Sequence, residues 1–314
     1  MGLWCLVVIS FLANILVPTG AGNLNVCGTR QFKLAGMEQC HSWLNCSDLK
    51  NLKFGRRIDA GSTKLVHAAS WNGLNVVVLR LHNINYKSDF DHGLDMLEKY
   101  NPSKFVVQLI GTCKKASMFA AEYYELGNAT NILSVINKRY GNQNIVVRLK
   151  LCLNYARLLE FLHDGPAGTR VMCDSNDLGK LLSQMLITDD VELVLNDLDA
   201  LPLVDRDAGT KIKCGSRELF GDFVAPEQKW PFSGAFKDAA MPGYDEKTDI
   251  WKAAEVFKYF VSDIDVKFEW VRYRLFNLIK SCKNPDPNLR PSAKYLVTVL
   301  EKILAEVHSV KTEL

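Results

Sequence analysis

The strongest constraint on this chain lies in its C-terminal half. There Val224-Ala225-Pro226-Glu227 is followed by Asp249-Ile250-Trp251 and then by Pro287-Asn288-Leu289-Arg290-Pro291. Any one of these strings arises by chance; three in this order, spread over a domain-sized span, point to one architecture. The distribution of apolar residues agrees with a two-part fold. Between Leu52 and Tyr124, β-rich runs at Lys64 to Ala69, Asn75 to Leu81, Phe105 to Ile110 and Ser117 to Tyr123 surround one helical stretch, Phe90 to Tyr100. From Ile132 onward helical periodicity dominates, at Val147 to His163, Thr248 to Ser262, Phe268 to Cys282 and Ala293 to Val307. A hairpin-like stretch, Met185 to Leu195, interrupts it. The class expected is α+β and bilobal, and 314 residues with 48% apolar content are enough for it. The expected organisation is a targeting segment at 1–22, a cysteine-rich collar at 23–50 and one domain at 51–314, whose lobes meet near residue 125.

The three strings resemble the landmarks of the protein kinase fold. That resemblance implies that Glu227 and Arg290 form a buried ion pair bracing the activation segment, and that Asp249 ties down the catalytic loop. Upstream, Val171-Met172-Cys173-Asp174 occupies the place of the His-Arg-Asp loop, and Leu195-Asn196-Asp197-Leu198-Asp199 that of Asp-Phe-Gly. Phosphoryl transfer needs little covalent chemistry from a protein: one carboxylate to orient the attacking hydroxyl and others to hold a divalent metal against the phosphates. Asp174 takes the first task and Asp197 the second. The second metal ligand is expected at Gln184, which enters the hairpin, with Asn176 and Asp177 as alternatives.

The N-terminal lobe departs furthest from the common pattern. Ile58 to Val66 fits a phosphate-binding glycine loop with only its middle glycine, Gly61, kept, and Asp59 stands where another glycine is usual. Val76-Val77-Val78-Leu79 puts Leu79 in the place of the usual lysine. Because strand side chains alternate faces, Lys64 projects to the same side as Val66, toward the adenine site, with Val77 lining that site from the next strand. Arg80 is one residue out of phase and should face away. Lys64 is therefore the expected phosphate-binding cation, as in the with-no-lysine kinases, which this relocation resembles. The helix that should pair a glutamate with it has Gly93 at that position; Asp89, one turn earlier, is either a substitute or a helix cap. Ala121-Glu122-Tyr123 resembles the hinge whose backbone binds adenine.

Leu3 to Val17 is nearly continuous hydrocarbon followed by small residues, which reads as a cleaved signal or a retained anchor. Of nine cysteines all but Cys5 lie beyond it, and an oxidising lumen would pair some of them, without the sequence saying which. Asn45-Cys46-Ser47 and Asn128-Ala129-Thr130 make Asn45 and Asn128 N-glycosylation acceptors. A net charge of +3, with no long run of one sign, offers no track for a nucleic acid.

More particular strings carry a closer resemblance. Gly168 to Leu178, Asn196 to Val204, Gly221 to Gln228 and Tyr244 to Lys247 resemble the family of protein O-mannose kinases, over nearly the whole chain after the leader. The resemblance implies an enzyme anchored as a single-pass type II protein in the endoplasmic reticulum membrane, using ATP and Mg²⁺ or Mn²⁺. Its acceptor would be the 6-hydroxyl of mannose in a GalNAc-GlcNAc-mannose trisaccharide on α-dystroglycan. Two alternatives stay open: a pseudokinase that binds nucleotide or a partner without turnover, which the altered motifs taken alone favour but the retained Asp174 and Asp197 and the phase-matched Lys64 count against, and a secreted kinase acting on protein Ser or Thr.

Overall fold

The computed structural model describes residues 27–141, 144–262 and 265–312. The targeting segment expected at 1–22 lies outside the described residues, and among those described no helix is long and apolar enough to cross a membrane. The chain begins with a short antiparallel pair, β1 (Gln31–Phe32) and β2 (His41–Ser42), and helix α1 (Cys46–Lys50). Then comes a five-stranded antiparallel sheet in the order β3-β4-β5-β7-β6, formed by β3 (Lys53–Ala60), β4 (Lys64–Trp71), β5 (Leu74–Leu81), β6 (Leu109–Cys113) and β7 (Met118–Glu122). Strands β4 and β5 are joined by Asn72-Gly73, both at positive φ, the two-residue connection whose twist matches that of paired strands. Helix α2 (Lys87–Tyr100) crosses from β5 to β6, burying Phe90, Gly93, Leu94, Met96, Leu97 and Tyr100 along one side.

The two faces of the sheet feed different cores. Val76, Val78, Ala69, Met118 and Ala120 pack outward against the collar residues Phe32, Leu34, Leu44 and Leu49. Leu79, with Val66, Val77 and Leu81, joins the main core, which runs without a break from α2 into the C-terminal lobe. The collar shields the β6 edge: Leu44 N–H donates to Ile110 O at 2.8 Å, Thr112 N–H donates to Leu44 O at 3.1 Å, and a disulfide links Cys46 to Cys113. A second disulfide, Cys27–Cys40, closes the collar on itself.

The strand expected over Phe105 to Ile110 begins only at Leu109. The residues before it pair with the C-terminal lobe instead: Val107 N–H donates to Leu195 O at 3.0 Å and Leu195 N–H to Phe105 O at 2.8 Å, which stitches the lobes together. That lobe contains α3 (Ile132–Tyr140), α4 (Ile145–Asp164), β8 (Thr169–Arg170), α5 (Leu178–Ser183), the hairpin β9 (Met185–Ile187) and β10 (Leu193–Leu195), and β11 (Leu203–Val204). Helices α6 (Lys247–Phe260), α7 (Glu269–Cys282) and α8 (Ala293–Thr312) complete it. Helix α4 is apolar on almost every side and is packed by α6 and α8. Cys152 on α4 and Cys282 on α7 are free buried thiols, and burial pushes Cys282 up to about 12, so neither is a nucleophile.

Candidate active site

Lys64, at the start of β4, is 8% exposed, and its ammonium lies 2.8 Å from Asp197 Oδ1 and 2.6 Å from Asp199 Oδ1. Parity explains its direction. Lys64 and Val66 share the inner face with Leu81 and Leu79, their register partners on β5. Arg80 falls on the outer face, where its guanidinium stacks 4.5 Å from the Phe54 ring centroid and its Nε–H donates to Met118 Sδ. Burial works against charge at Lys64, but the two carboxylates outweigh it and its pKa is raised. For Asp197 burial pushes upward and Lys64 pulls harder, leaving the carboxyl below its usual range. For Asp199 burial, helped by the Asp197 charge, overcomes Lys64 and pushes the carboxyl up to about 7.

Asp199 is the residue that sequence reasoning missed. It stands in the last place of Asp197-Leu198-Asp199 and supplies the carboxylate expected from α2. Helix α2 accommodates it by having no side chain at Gly93, where a Cβ would sit 2.0 Å from Asp199 Oδ1. The signal was an acid where a glycine is usual, together with a glycine where an acid is usual. Asp89 is neither the cap nor the counter-ion; it lies in the first turn of α2, after Tyr86 at the cap position.

Asp174, Gln184, Asp197, Asp199 and Met172 line one cleft. Asp174 Oδ2 is 2.7 Å from Lys180 Nζ, with both side chains near 42% exposed. Asp177 caps α5 by accepting from Lys180 N–H at 2.8 Å, which occupies one of the alternative metal ligands. Asn176 Oδ1 is buried and unpartnered. Gln184 closes α5; its Nε2 donates to Lys180 O at 3.2 Å, and its main-chain carbonyl accepts from Asn196 and Asp197 N–H. The backbone around Asp174 is held from α6. Asp249 Oδ2 accepts Met172 N–H at 3.1 Å and lies 3.2 Å from His163 Nε2, while the buried Lys252 ammonium donates to Ser175 Oγ at 2.8 Å. A third disulfide, Cys173–Cys214, ties the residue before Asp174 to the segment leading to Ala225-Pro226-Glu227.

The other expected residues surround this centre. Gly61 N–H donates to Lys64 O at 2.9 Å, and Gly61 O accepts from His82 Nδ1 at 2.7 Å, so the loop tip is braced by the end of β5. Ile58, on β3, is exposed; Val66 and Val77 are half-buried against the main core. Glu122 ends β7, its carboxylate accepting from Gln108 Nε2 and Tyr124 Oη at 3.1 Å each; burial raises its pKa, which those bonds oppose. Tyr123 follows it, half-exposed. Asp59 is exposed and accepts from Ala60 N–H at 2.7 Å. Glu227 and Arg290 form a two-pronged ion pair at 2.5 and 2.8 Å. Asn45 and Asn128 each use Oδ1 to cap a helical turn.

The donors suit a hard cation. Asp197 offers a carboxylate and Gln184 an amide carbonyl to the same cleft, and Mg²⁺ takes few protein oxygens, filling its octahedron with water and substrate phosphates. Among the described residues no cluster of three or more His, Cys, Asp or Glu side chains forms a metal cage of its own.

No protein-family model matches the chain. Curated relatives do. Protein O-mannose kinase of Macaca fascicularis is 41% identical over 283 residues, covering 88% of this chain and 80% of the relative. That of Gallus gallus is 40% identical over 301 residues, covering 94% and 85%. That of Xenopus laevis is 39% identical over 287 residues, covering 90% and 81%.

Proposed function

The chain belongs to the family of protein O-mannose kinases, and from that premise we propose that it transfers the γ-phosphoryl group of ATP to the 6-hydroxyl of O-linked mannose. In the same proposal the mannose is part of a GalNAc-GlcNAc-mannose trisaccharide on α-dystroglycan. The observation that carries the reading is the convergence of Lys64, Asp197 and Asp199 within 2.8 Å, beside a cleft that Asp174 and Gln184 also line.

In this mechanism Asp174 accepts a hydrogen bond from the acceptor hydroxyl and orients its oxygen toward the γ-phosphorus. The new P–O bond forms as the bond to the β-phosphate oxygen breaks; ADP leaves, and the hydroxyl proton passes through Asp174 to solvent. Lys64 binds the phosphates, held in place by Asp199. Asp197 and Gln184 would hold Mg²⁺ or Mn²⁺, which when bound neutralises charge on the β- and γ-phosphates. Adenine would lie between Ile58, Val66 and Val77 on one side and the Glu122-Tyr123 backbone on the other.

Three disulfides support an oxidising, secretory-pathway compartment. The endoplasmic reticulum lumen, anchoring through residues 1–22 and glycans on Asn45 and Asn128 belong to the same proposal. The test is incubation of the full chain with labelled ATP, Mg²⁺ or Mn²⁺, and either the trisaccharide or a generic Ser/Thr peptide. Transfer to the trisaccharide that Asp174→Asn abolishes is the expected result. Transfer only to the peptide would mark a protein kinase, and transfer to neither a pseudokinase.

A further inference from the structure

We propose that Lys180 is a catalytic residue that grips the transferring phosphoryl group, leaving Asp174 for a γ-phosphate oxygen when ATP enters. The proposal rests on the kinase reading above and adds a second cation to it.

Lys64 is committed to the inner end of the cleft, where Asp197 and Asp199 enclose it. Phosphoryl transfer spreads negative charge over the equatorial oxygens of the γ-phosphate, which calls for positive charge at the outer end, near Asp174. Lys180 is the cation found there, its Nζ 2.7 Å from Asp174 Oδ2. Its field also reaches Asp197, where it helps to keep the carboxyl ionised after Lys64 has done most of that work. It therefore acts on both carboxylates of the reaction. Lys252, the other lysine beside the catalytic loop, is fully buried and bonded to Ser175.

The way Lys180 is held fits such an exchange. Its main chain is fixed: the N–H is capped by Asp177 and the carbonyl accepts from Ser183 Oγ at 2.7 Å and Gln184 Nε2 at 3.2 Å. Its side chain is 43% exposed, and an exposed ion pair contributes only about 0–1 kcal/mol, so the ammonium leaves Asp174 at little cost. The pair uses only Asp174 Oδ2, so the second carboxylate oxygen is open to the sugar hydroxyl. A hydroxyl bonded to Asp174 and aligned for attack stands roughly 3–3.5 Å from phosphorus. A γ-phosphate oxygen then comes within the swing of the flexible lysine stem, so one small rotation carries the ammonium from the carboxylate to the phosphate.

The experiment compares wild type, Lys180→Ala and Lys180→Arg in the full chain. Calorimetry measures Mg²⁺-supported affinity for ADP and for the β,γ-imido analogue of ATP, and steady-state kinetics follow transfer to the trisaccharide. Lys180→Ala should lose kcat by about 100-fold, the usual effect of deleting one transition-state charge donor. Its affinity for the analogue should fall about fivefold and for ADP not at all, roughly 1 kcal/mol confined to the γ-phosphate. Lys180→Arg should recover part of kcat, and thermal midpoints should agree. A kcat within threefold of wild type, or equal loss of ADP and analogue affinity, would overturn the proposal. The binding measurement decides even if wild type transfers nothing, an outcome that sinks the kinase reading by itself.

Discussion

At the scale of single residues, the site is built by two exchanges of position. The buried ammonium proposed to bind phosphate sits on β4 rather than β5, and its counter-ion is Asp199 rather than a residue of α2. The first exchange makes a sharp prediction: Lys64→Ala should lower kcat by at least about 100-fold with folding intact, whereas Arg80→Ala, on the outer face, should stay within a fewfold of wild type. Near-normal turnover in Lys64→Ala would contradict the alternation argument. The second exchange is testable through pH. Burial pushes the Asp199 carboxyl up to about 7, from an ordinary value of 3.8. Between those values the folded chain binds more protons than the unfolded one, so this group's contribution to stability falls as pH rises and its full penalty is present above 7. Asparagine does not titrate. The thermal midpoint of ligand-free Asp199→Asn, relative to wild type, should therefore rise between pH 5.5 and pH 8 by about 2–4 °C for each kcal/mol relieved. A pH-independent difference would mean that Asp199 stays ionised throughout. Lys64 was legible because strand parity is a local rule. Asp199 was not, because no local rule links β4 or α2 to a carboxylate that arrives from more than a hundred residues downstream.

At the scale of elements, what the sequence displayed depended on how each element is buried. The long helices were plain from their apolar stripes, and their ends moved by only a few residues. Strand β3 was not read as a strand, since Lys53–Ala60 is exposed along its whole length and carries no alternation. The Phe105 to Ile110 run was read as one strand because an apolar run shows that it is buried, not which partner it pairs with; half of it joins β10. The Glu227–Arg290 pair belongs to this scale because it joins the segment before α6 to the turn before α8. Arg290 is 3% exposed and also donates to the carbonyls of Asn284 and Lys247. Removing one partner of a buried pair leaves the other charged and unpaired, which costs about 3–5 kcal/mol. Arg290→Ala should therefore lower the thermal midpoint by about 10 °C and loosen the activation segment, read as faster hydrogen exchange across residues 205–230. Unchanged exchange there would separate the ion pair from the activation segment.

At the scale of the whole molecule, one core spans both lobes while a second lies between the sheet and the collar. This division was invisible in the sequence, because disulfide connectivity is non-local and eight cysteines allow many pairings. It implies two levels of stability. The main core, with α4 at its centre, should unfold as a unit. The collar is held to the sheet by a small apolar cluster, the Leu44 hydrogen bonds and the Cys46–Cys113 link, which closes a sequence separation of 67 residues. Cross-linking so distant a pair restricts the unfolded chain and contributes about 2–4 kcal/mol. Replacing both cysteines by serine should thus weaken the N-terminal lobe selectively: amide protection should drop in the collar, β6 and β7 and persist in α4 and α6. Because β7 leads into Glu122 and Tyr123, the same variant should bind ATP more weakly while Asp174 and its supporting bonds to α6 stay in place. KM for ATP should then rise several-fold with little change in kcat. A uniform loss of protection across both lobes would instead show that the collar and the catalytic lobe unfold together.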